Sequence, residues 1–338
     1  MPRLLPLLPL LVVLSLGASR VIEGQPLADP AANGASGLKA RILFQSNVLG
    51  EFEPCSCDDN PVGGLAQSVA TIVDLRAAVE VPTFVFDAGD RFFRHDLAAI
   101  SQEEAARRLK AVALVDAANL AGLDAAGVGG LDLGAGLPYL QKLSQRAAYP
   151  LLSANVVDHE GTPLFQTSAL IERGDLRIGV TSVLPGGLWM DRYETADPFR
   201  AAKDEVRALR AAGAQLVIVL SNLGLDDDKK LARASRADLI LGSRSRDILP
   251  DALTVGRTTI SHAGSRGRYV GDVRWYAEGA GKGPWLVGTT QPVRADGRQD
   301  APAASLVARL LQRLADPRLG VEPLRPGDPG HPGTKETR

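Results

Sequence analysis

The sequence predicts an α/β fold with buried sheets, and three observations carry that expectation. Short continuous apolar runs recur between residues 38 and 276, the pattern of strands covered on both faces. The stretches between them space their apolar residues as helices do. Polar or glycine residues, namely Asn47, Asp90, Gly129, Asn155, Asn222, Arg244 and His262, fall just after strand candidates. In α/β folds those strand ends line the ligand crevice.

The chain opens MPRLLPLLPLLVVLSLGAS, with one arginine ahead of an apolar run over 4–16 and small residues behind it. That run is shorter than the about 20 residues needed to span a bilayer. Residues 1–19 are therefore expected to be a cleaved secretory signal, with an uncleaved anchor as the alternative. Residues 20–37 are small, polar and proline-containing, and read as a leader.

The main domain is expected over 38–296. Its strand candidates are RILFQ, TFVFDA, AAGVG, PLLSANVV, LRIGVTSVL, QLVIVLS, ADLILG and TTISHAG. Its helix candidates are LAQSVATIVDLRAAV, SQEEAARRLKAVALVDAANLAG, PFRAAKDEVRALRAAG and DDDKKLARASRA. Residues 297–315 follow as a C-terminal helix region, with SLVARLLQRLA at helical spacing. Residues 316–338, rich in proline, glycine and charge, read as a frayed tail.

Charge excludes some partners. With 38 Lys+Arg against 39 Asp+Glu, no global basic field draws nucleic acid, and no membrane partner is expected after signal cleavage. Export would place the two cysteines, Cys55 and Cys57, in a compartment that permits disulfides.

The order of short words along the chain resembles the calcineurin-like metallophosphoesterases, specifically the secreted 5′-nucleotidase and UDP-sugar hydrolase branch. ILFQSNVLG stands for ILHTNDxHG, GGLA for GGxAR, and FDAGD for DAGD. AGLDAAGVGGLDLG stands for LGYDAxxxGNHEFDxG, and LLSANV for the same letters. VIVLSNLG, LILGSRSRD and SHAGSRGRYVG take the places of VIVLSHxG, IIGGHSHD and QAGxxGxxxG. The resemblance spans residues 42–276 and implies a metallophosphoesterase-like αββα sandwich, two mixed β-sheets flanked by helices. It also implies two divalent metals bridged by an aspartate.

Carried over residue by residue, that metal set is mostly missing. Asp90 keeps the bridging position, while Asn47 and Asn222 remain as neutral oxygen donors at vestigial metal positions. The Asn-His-Glu triplet falls on Val128, Gly129 and Gly130, and two later histidines fall on Arg244 and Arg246. A guanidinium about 4 Å from a metal charge costs roughly 4 kcal/mol even at an effective dielectric of 20. Loss of the metal pair is therefore expected, leaving a divalent or soft metal ion as a residual cofactor option.

EFEPCSCDDNPVGG, at 51–64, stands in the first ligand loop. It resembles a sub-branch reading GELEPCGC…GGLARR, some of whose members carry selenocysteine. As a structural staple a CxC disulfide is poor, because the ring closes across one residue. As a redox pair it would be oxidising, and as a thiolate clasp it would suit a soft metal. Glu51, Glu53, Asp58 and Asp59 oppose thiolate formation. Arg244, Arg246, Arg266 and Arg268 could supply the opposing charge.

Three functions follow as expectations. The first is thiol–disulfide or related redox chemistry by Cys55 and Cys57 with an unidentified redox partner. The second is a metal-free pseudo-phosphatase that holds a small anionic or phosphorylated ligand with Arg244 and Arg246, with Asn155 and His262 beside it. The third is residual metal-dependent hydrolysis. His262 reads either as a base or third ligand or as a hydrogen-bonded, partly buried histidine without a catalytic role, and Ser221 is given no His/Asp partner. His95, His159 and His331 read as surface residues.

Overall fold

The computed structural model describes residues 36–55, 61–94, 102–278 and 285–316. Cys57, His95, His331, the signal and nearly all of the leader and tail lie outside them. In chain order the first elements are β1 (Ser36–Gln45), α1 (Leu65–Ala77), β2 (Thr83–Asp87), α2 (Gln102–Ala121) and β3 (Ala125–Gly127). A 3-10 turn (Leu131–Ala135), α3 (Leu137–Arg146), β4 (Leu151–Leu152), β5 (Val156–Val157), β6 (Ser168–Arg173) and β7 (Leu176–Val183) follow. Then come β8 (Glu194–Thr195), α4 (Pro198–Ala211), β9 (Leu216–Ser221), α5 (Leu225–Ser235) and β10 (Leu239–Gly242). β11 (Leu253–Val255), β12 (Thr258–His262), β13 (Tyr269–Glu278), β14 (Trp285–Pro292) and α6 (Ala301–Leu314) are the last elements among the described residues.

Two six-stranded mixed sheets result, in the orders β14-β13-β1-β2-β3-β4 and β11-β12-β10-β9-β7-β6. The pairs joining β1 through β4 are parallel, as are those joining β7, β9, β10 and β12. Antiparallel strands cover three of the four edges, and parallel β4 forms the fourth.

Alternation along β1 shows how the layers form. Ile42 and Phe44 point into a core between the sheets, where they join Phe84, Phe86, Ile178, Ile218 and Leu241. Leu43 points the other way, into a core shared with α1, α2, α3 and α6. A third core lies between the second sheet and α4 and α5. Because both faces of each sheet are covered, the central strands read as unbroken apolar runs. The architecture is the expected αββα sandwich.

The differences lie at edges, at short elements and at β13, a ten-residue interior strand with no expected counterpart, whose apolar run Gly271, Asp272 and Arg274 interrupt. PLLSANVV is two two-residue strands, β4 and β5, rather than one. α3 had no expected counterpart, although Leu137, Leu140 and Leu143 give it a buried face. β6 and β14 were also unexpected: they are edge strands whose residues are mostly half-exposed, so no continuous apolar run marks them. α6 begins earlier than its apolar spacing suggests, because Asp300 caps it through the Ala303 N–H at 3.0 Å.

Candidate functional site

The carboxyl ends of β1, β2 and β3 in one sheet meet those of β9, β10 and β12 in the other. The turns leaving these strands are tightly wound. Among the described residues, five of the six non-glycine residues with positive φ stand there: Asn47, Leu49, Asp90, Arg244 and Arg266. Left-handed backbone costs about 1–3 kcal/mol for such residues and concentrates at functional sites.

Asp90 is the centre. It is 3% exposed, and its carboxylate accepts the Leu131 N–H at 2.9 Å. The Asn222 amide and the Arg244 charge also draw on it. Burial nevertheless dominates and pushes its carboxyl up. Asp132 holds the surrounding loops together by accepting the N–H groups of Asp90, Gly129 and Phe92, each at 2.9 Å. Burial, then the neighbouring Asp90 charge, pushes Asp132 up to about 8. Below them the buried Asp87–Arg91 pair, at 2.6 Å, closes the floor.

Asn47 is not a vacant oxygen donor. Its Oδ1 receives the Arg244 N–H at 2.7 Å, and its Nδ2 donates to the carbonyls of Gly264 (2.9 Å) and Ser245 (3.1 Å). One side chain thus ties the β1, β10 and β12 loops together. Asn222 is spent similarly, accepting from Gly130 N–H at 2.9 Å and donating to Ser243 Oγ at 2.8 Å. Asn155, expected to contact ligand, is fully buried and bonded to the Leu184 backbone and the Ala196 carbonyl. It joins the end of β4 to the end of β7.

The residues present do not fit a pair of metals. All three vestigial positions have a side-chain oxygen hydrogen-bonded to a backbone N–H, and Asn47 and Asn222 have no second oxygen to offer. At Gly129 an added Cβ would stand 2.2 Å from Asp90 N and 2.3 Å from Asp90 Oδ1, so this backbone admits no side chain there. Arg244 brings a cation: its Nη1 lies 3.9 Å from where a Cβ on Gly130 would be. Among the described residues no three of His, Cys, Asp and Glu gather as metal ligands.

His262, at 1% exposure, donates or accepts through Nε2 at 2.8 Å from Asp228 Oδ2. Ser221 Oγ donates to the other oxygen of the same carboxylate. Ser221 therefore does have an Asp partner and, through it, a histidine. Ser245 Oγ stands 3.5 Å from His262 Nδ1 and also receives the first N–H of α5. Gly242 makes room for the pair, since a Cβ there would fall 2.0 Å from His262 Nε2. His262 is thus buried and hydrogen-bonded to Asp228. Asp228 escaped the sequence reading because DDD looks like a solvated run. The helical period would have found it, on one face with Leu225, Leu231 and Ala232.

Cys55 is half-buried in a hairpin, its N–H on Val62 O at 2.9 Å and its Sγ receiving the Val62 N–H at 3.3 Å. Gly63 of that hairpin packs on the turn at 266–268, 3.6 Å from Arg268 Cγ when given a Cβ. Arg246 and Arg266 lie within electrostatic reach of Arg94. Arg94, Arg107 and Lys110 line a neighbouring cavity with residues 49–51, and no strand-end pattern marks them in the sequence.

No family model matches the chain. Its fold is that of the calcineurin-like phosphoesterases in the form seen in nucleotidases. The sulfate thiohydrolase SoxB of Thermus thermophilus superposes with a TM-score of 0.69 at 22% identity, over 82% of this chain and 61% of that one. A 5′-nucleotidase precursor, also from Thermus thermophilus, does so at 0.69 and 20%, over 81% and 58%. In sequence, a 2′,3′-cyclic-nucleotide 2′-phosphodiesterase/3′-nucleotidase of Haemophilus influenzae is 23% identical over 218 residues, 58% of this chain. This chain spans a third of the length of that curated relative, 33%, and about three-fifths of the two solved structures. No helix among the described residues is long and apolar enough to cross a membrane.

Proposed function

We propose that this protein is an exported member of the nucleotidase-like fold class that holds a tetrahedral oxyanion, free or as a phosphate or sulfate ester, without a metal pair. The observation that carries the reading is Arg244, whose guanidinium stands beside Asp90 and over the bare Gly130 backbone. A planar guanidinium offers paired donors to two oxygens of such an anion. The two solved structures described above are, by name, a sulfate thiohydrolase and a nucleotidase, which agrees with this anion class. Inorganic phosphate titrated calorimetrically into the wild type and Arg244→Ala tests it. A charge-assisted contact is worth about 1.5–3 kcal/mol, so the variant should bind tenfold or more weakly. Equal affinities would sink the reading.

A second reading, thiol redox chemistry at Cys55 and Cys57, is favoured by the Val62 N–H on Cys55 Sγ. A donor on sulfur stabilises the thiolate. It requires that Cys55→Ser and Cys57→Ser each abolish disulfide-reductase activity on a small disulfide. Activity retained in either variant would remove it.

A further inference from the structure

Away from the crevice, α4 and α5 enclose a groove of about 670 Å³, within the size range of small-ligand sites. The first N–H of α5 sits on Ser245 in the crevice. The groove takes the last turn of the same helix, about 12 Å further along its axis.

Five cations line it. Lys203, Arg207 and Arg210 project from one face of α4, four and three residues apart, around the buried Val206. Arg233 and Arg236 come from the end of α5. Two carboxylates answer them: Arg207 pairs with Asp204 at 3.0 Å and Arg210 with Asp238 at 2.9 Å. Each carboxylate is shared with a further arginine, Arg200 at 3.9 Å and Arg257 at 3.7 Å. Among the described residues Lys203, Arg233 and Arg236 pair with no carboxylate.

Helix-end electrostatics accounts for two of the five. Arg210 donates to the Arg236 carbonyl at 3.1 Å and Arg233 to the Lys229 carbonyl at 3.2 Å, so both serve the negative end of α5. Lys203 stands in the middle of α4 and has no such duty. Arg236 is the sixth non-glycine residue with positive φ among the described residues. At 58° it caps α5 in left-handed backbone, a position that helices ordinarily give to glycine. A glycine there would relax the backbone and remove a cation from the groove.

We infer that this groove binds a small multivalent oxyanion, a polyphosphate or a polycarboxylate, at a site separate from the crevice. The α4 row spreads its three cations over about 10 Å, which suits a ligand with several linked charges better than a single phosphate. A cleft lined by one sign of charge concentrates its counter-ion. The guanidinium groups of Arg233 and Arg236 offer paired donors to the oxygens of either class. The inference does not depend on the anion reading of the crevice.

The probes are tripolyphosphate, citrate and inorganic phosphate, titrated by calorimetry into the full chain. Wild type and Arg244→Ala are run in parallel, the second to remove the crevice from the signal. In Arg244→Ala at least one multivalent probe should bind about tenfold or more tightly than phosphate. Tight citrate binding marks a polycarboxylate ligand, and tight tripolyphosphate binding alone marks a polyphosphate. Added to Arg244→Ala, Lys203→Gln and Arg236→Gly should each weaken the tighter probe about tenfold, the loss of one charge-assisted contact. Arg236→Gly should melt no lower than its parent, since glycine suits the left-handed position, so its effect on affinity is separable from folding. Lys142→Gln removes an exposed lysine on α3 instead and should leave the affinity unchanged. Multivalent probes that bind no tighter than phosphate overturn the site. So does an affinity that neither groove substitution lowers, or that Lys142→Gln lowers as much as they do.

Discussion

At the scale of single residues, Asn47 decides how the site should be understood. Its identity suggests a ligand worn down from aspartate, yet its amide is a three-way clamp on Arg244, Ser245 and Gly264. Those partners are about two hundred residues away, with separations of 197, 198 and 217. No spacing rule reaches that far, so the position was legible in the sequence and the role was not. The clamp needs a donor as well as an acceptor. Asn47→Asp should therefore fail to create a metal site. It replaces an N–H pair by a carboxylate facing two carbonyl oxygens, leaving buried acceptors unpaired at about 1–3 kcal/mol each. Chemical denaturation should show a loss of about 2–5 kcal/mol, with no Mn²⁺ bound at equilibrium dialysis. A variant as stable as wild type that binds Mn²⁺ would reverse this account.

At the scale of elements, the turn leaving β3 is where chemistry and backbone have moved together. The glycines of GVGGLDLG are visible in the sequence, but not that they differ in kind. Gly129 lies against Asp90, where a Cβ would meet backbone nitrogen at 2.2 Å, whereas at Gly130 nothing comes nearer than 3.7 Å. The first clash is with main chain that Asp132 clamps in place, so it cannot relax cheaply. Gly129→Ala should cost about 3 kcal/mol or more, at the upper end of overpacking effects. Gly130→Ala, at a φ of −60, should cost less than about 1 kcal/mol. Urea midpoints of the two variants check the contrast, and similar costs at both sites would refute it. The same logic explains which elements were legible. The parallel central strands announce themselves because both faces are buried, while β6, β13 and β14, which lie outside the parallel core of their sheets, need their neighbours to define them.

At the scale of the whole molecule, the sandwich brings two rows of strand ends together, and Asp90 and Arg244 stand side by side where they meet. The order of short words along the chain was enough to anticipate the layers, since each word belongs to a strand end that the two sheets need. The cavity over α2 was not legible, because Arg94, Arg107 and Lys110 come together only through packing of that helix against the β1 and β2 loops. A ligand that binds only the folded state raises stability in proportion to the logarithm of its concentration over Kd, about 2.7 kcal/mol at a hundredfold excess. For a chain of this size each kcal/mol moves Tm by about 2–4 °C, so phosphate at that excess should raise it by about 5–10 °C. Mn²⁺ in the millimolar range should leave Tm where it was, and so should a chelator. Thermal melts of one preparation under the three conditions decide the matter. A Mn²⁺-dependent rise that the chelator cancels, with phosphate inert, would return the crevice to metals and take the arginine account with it.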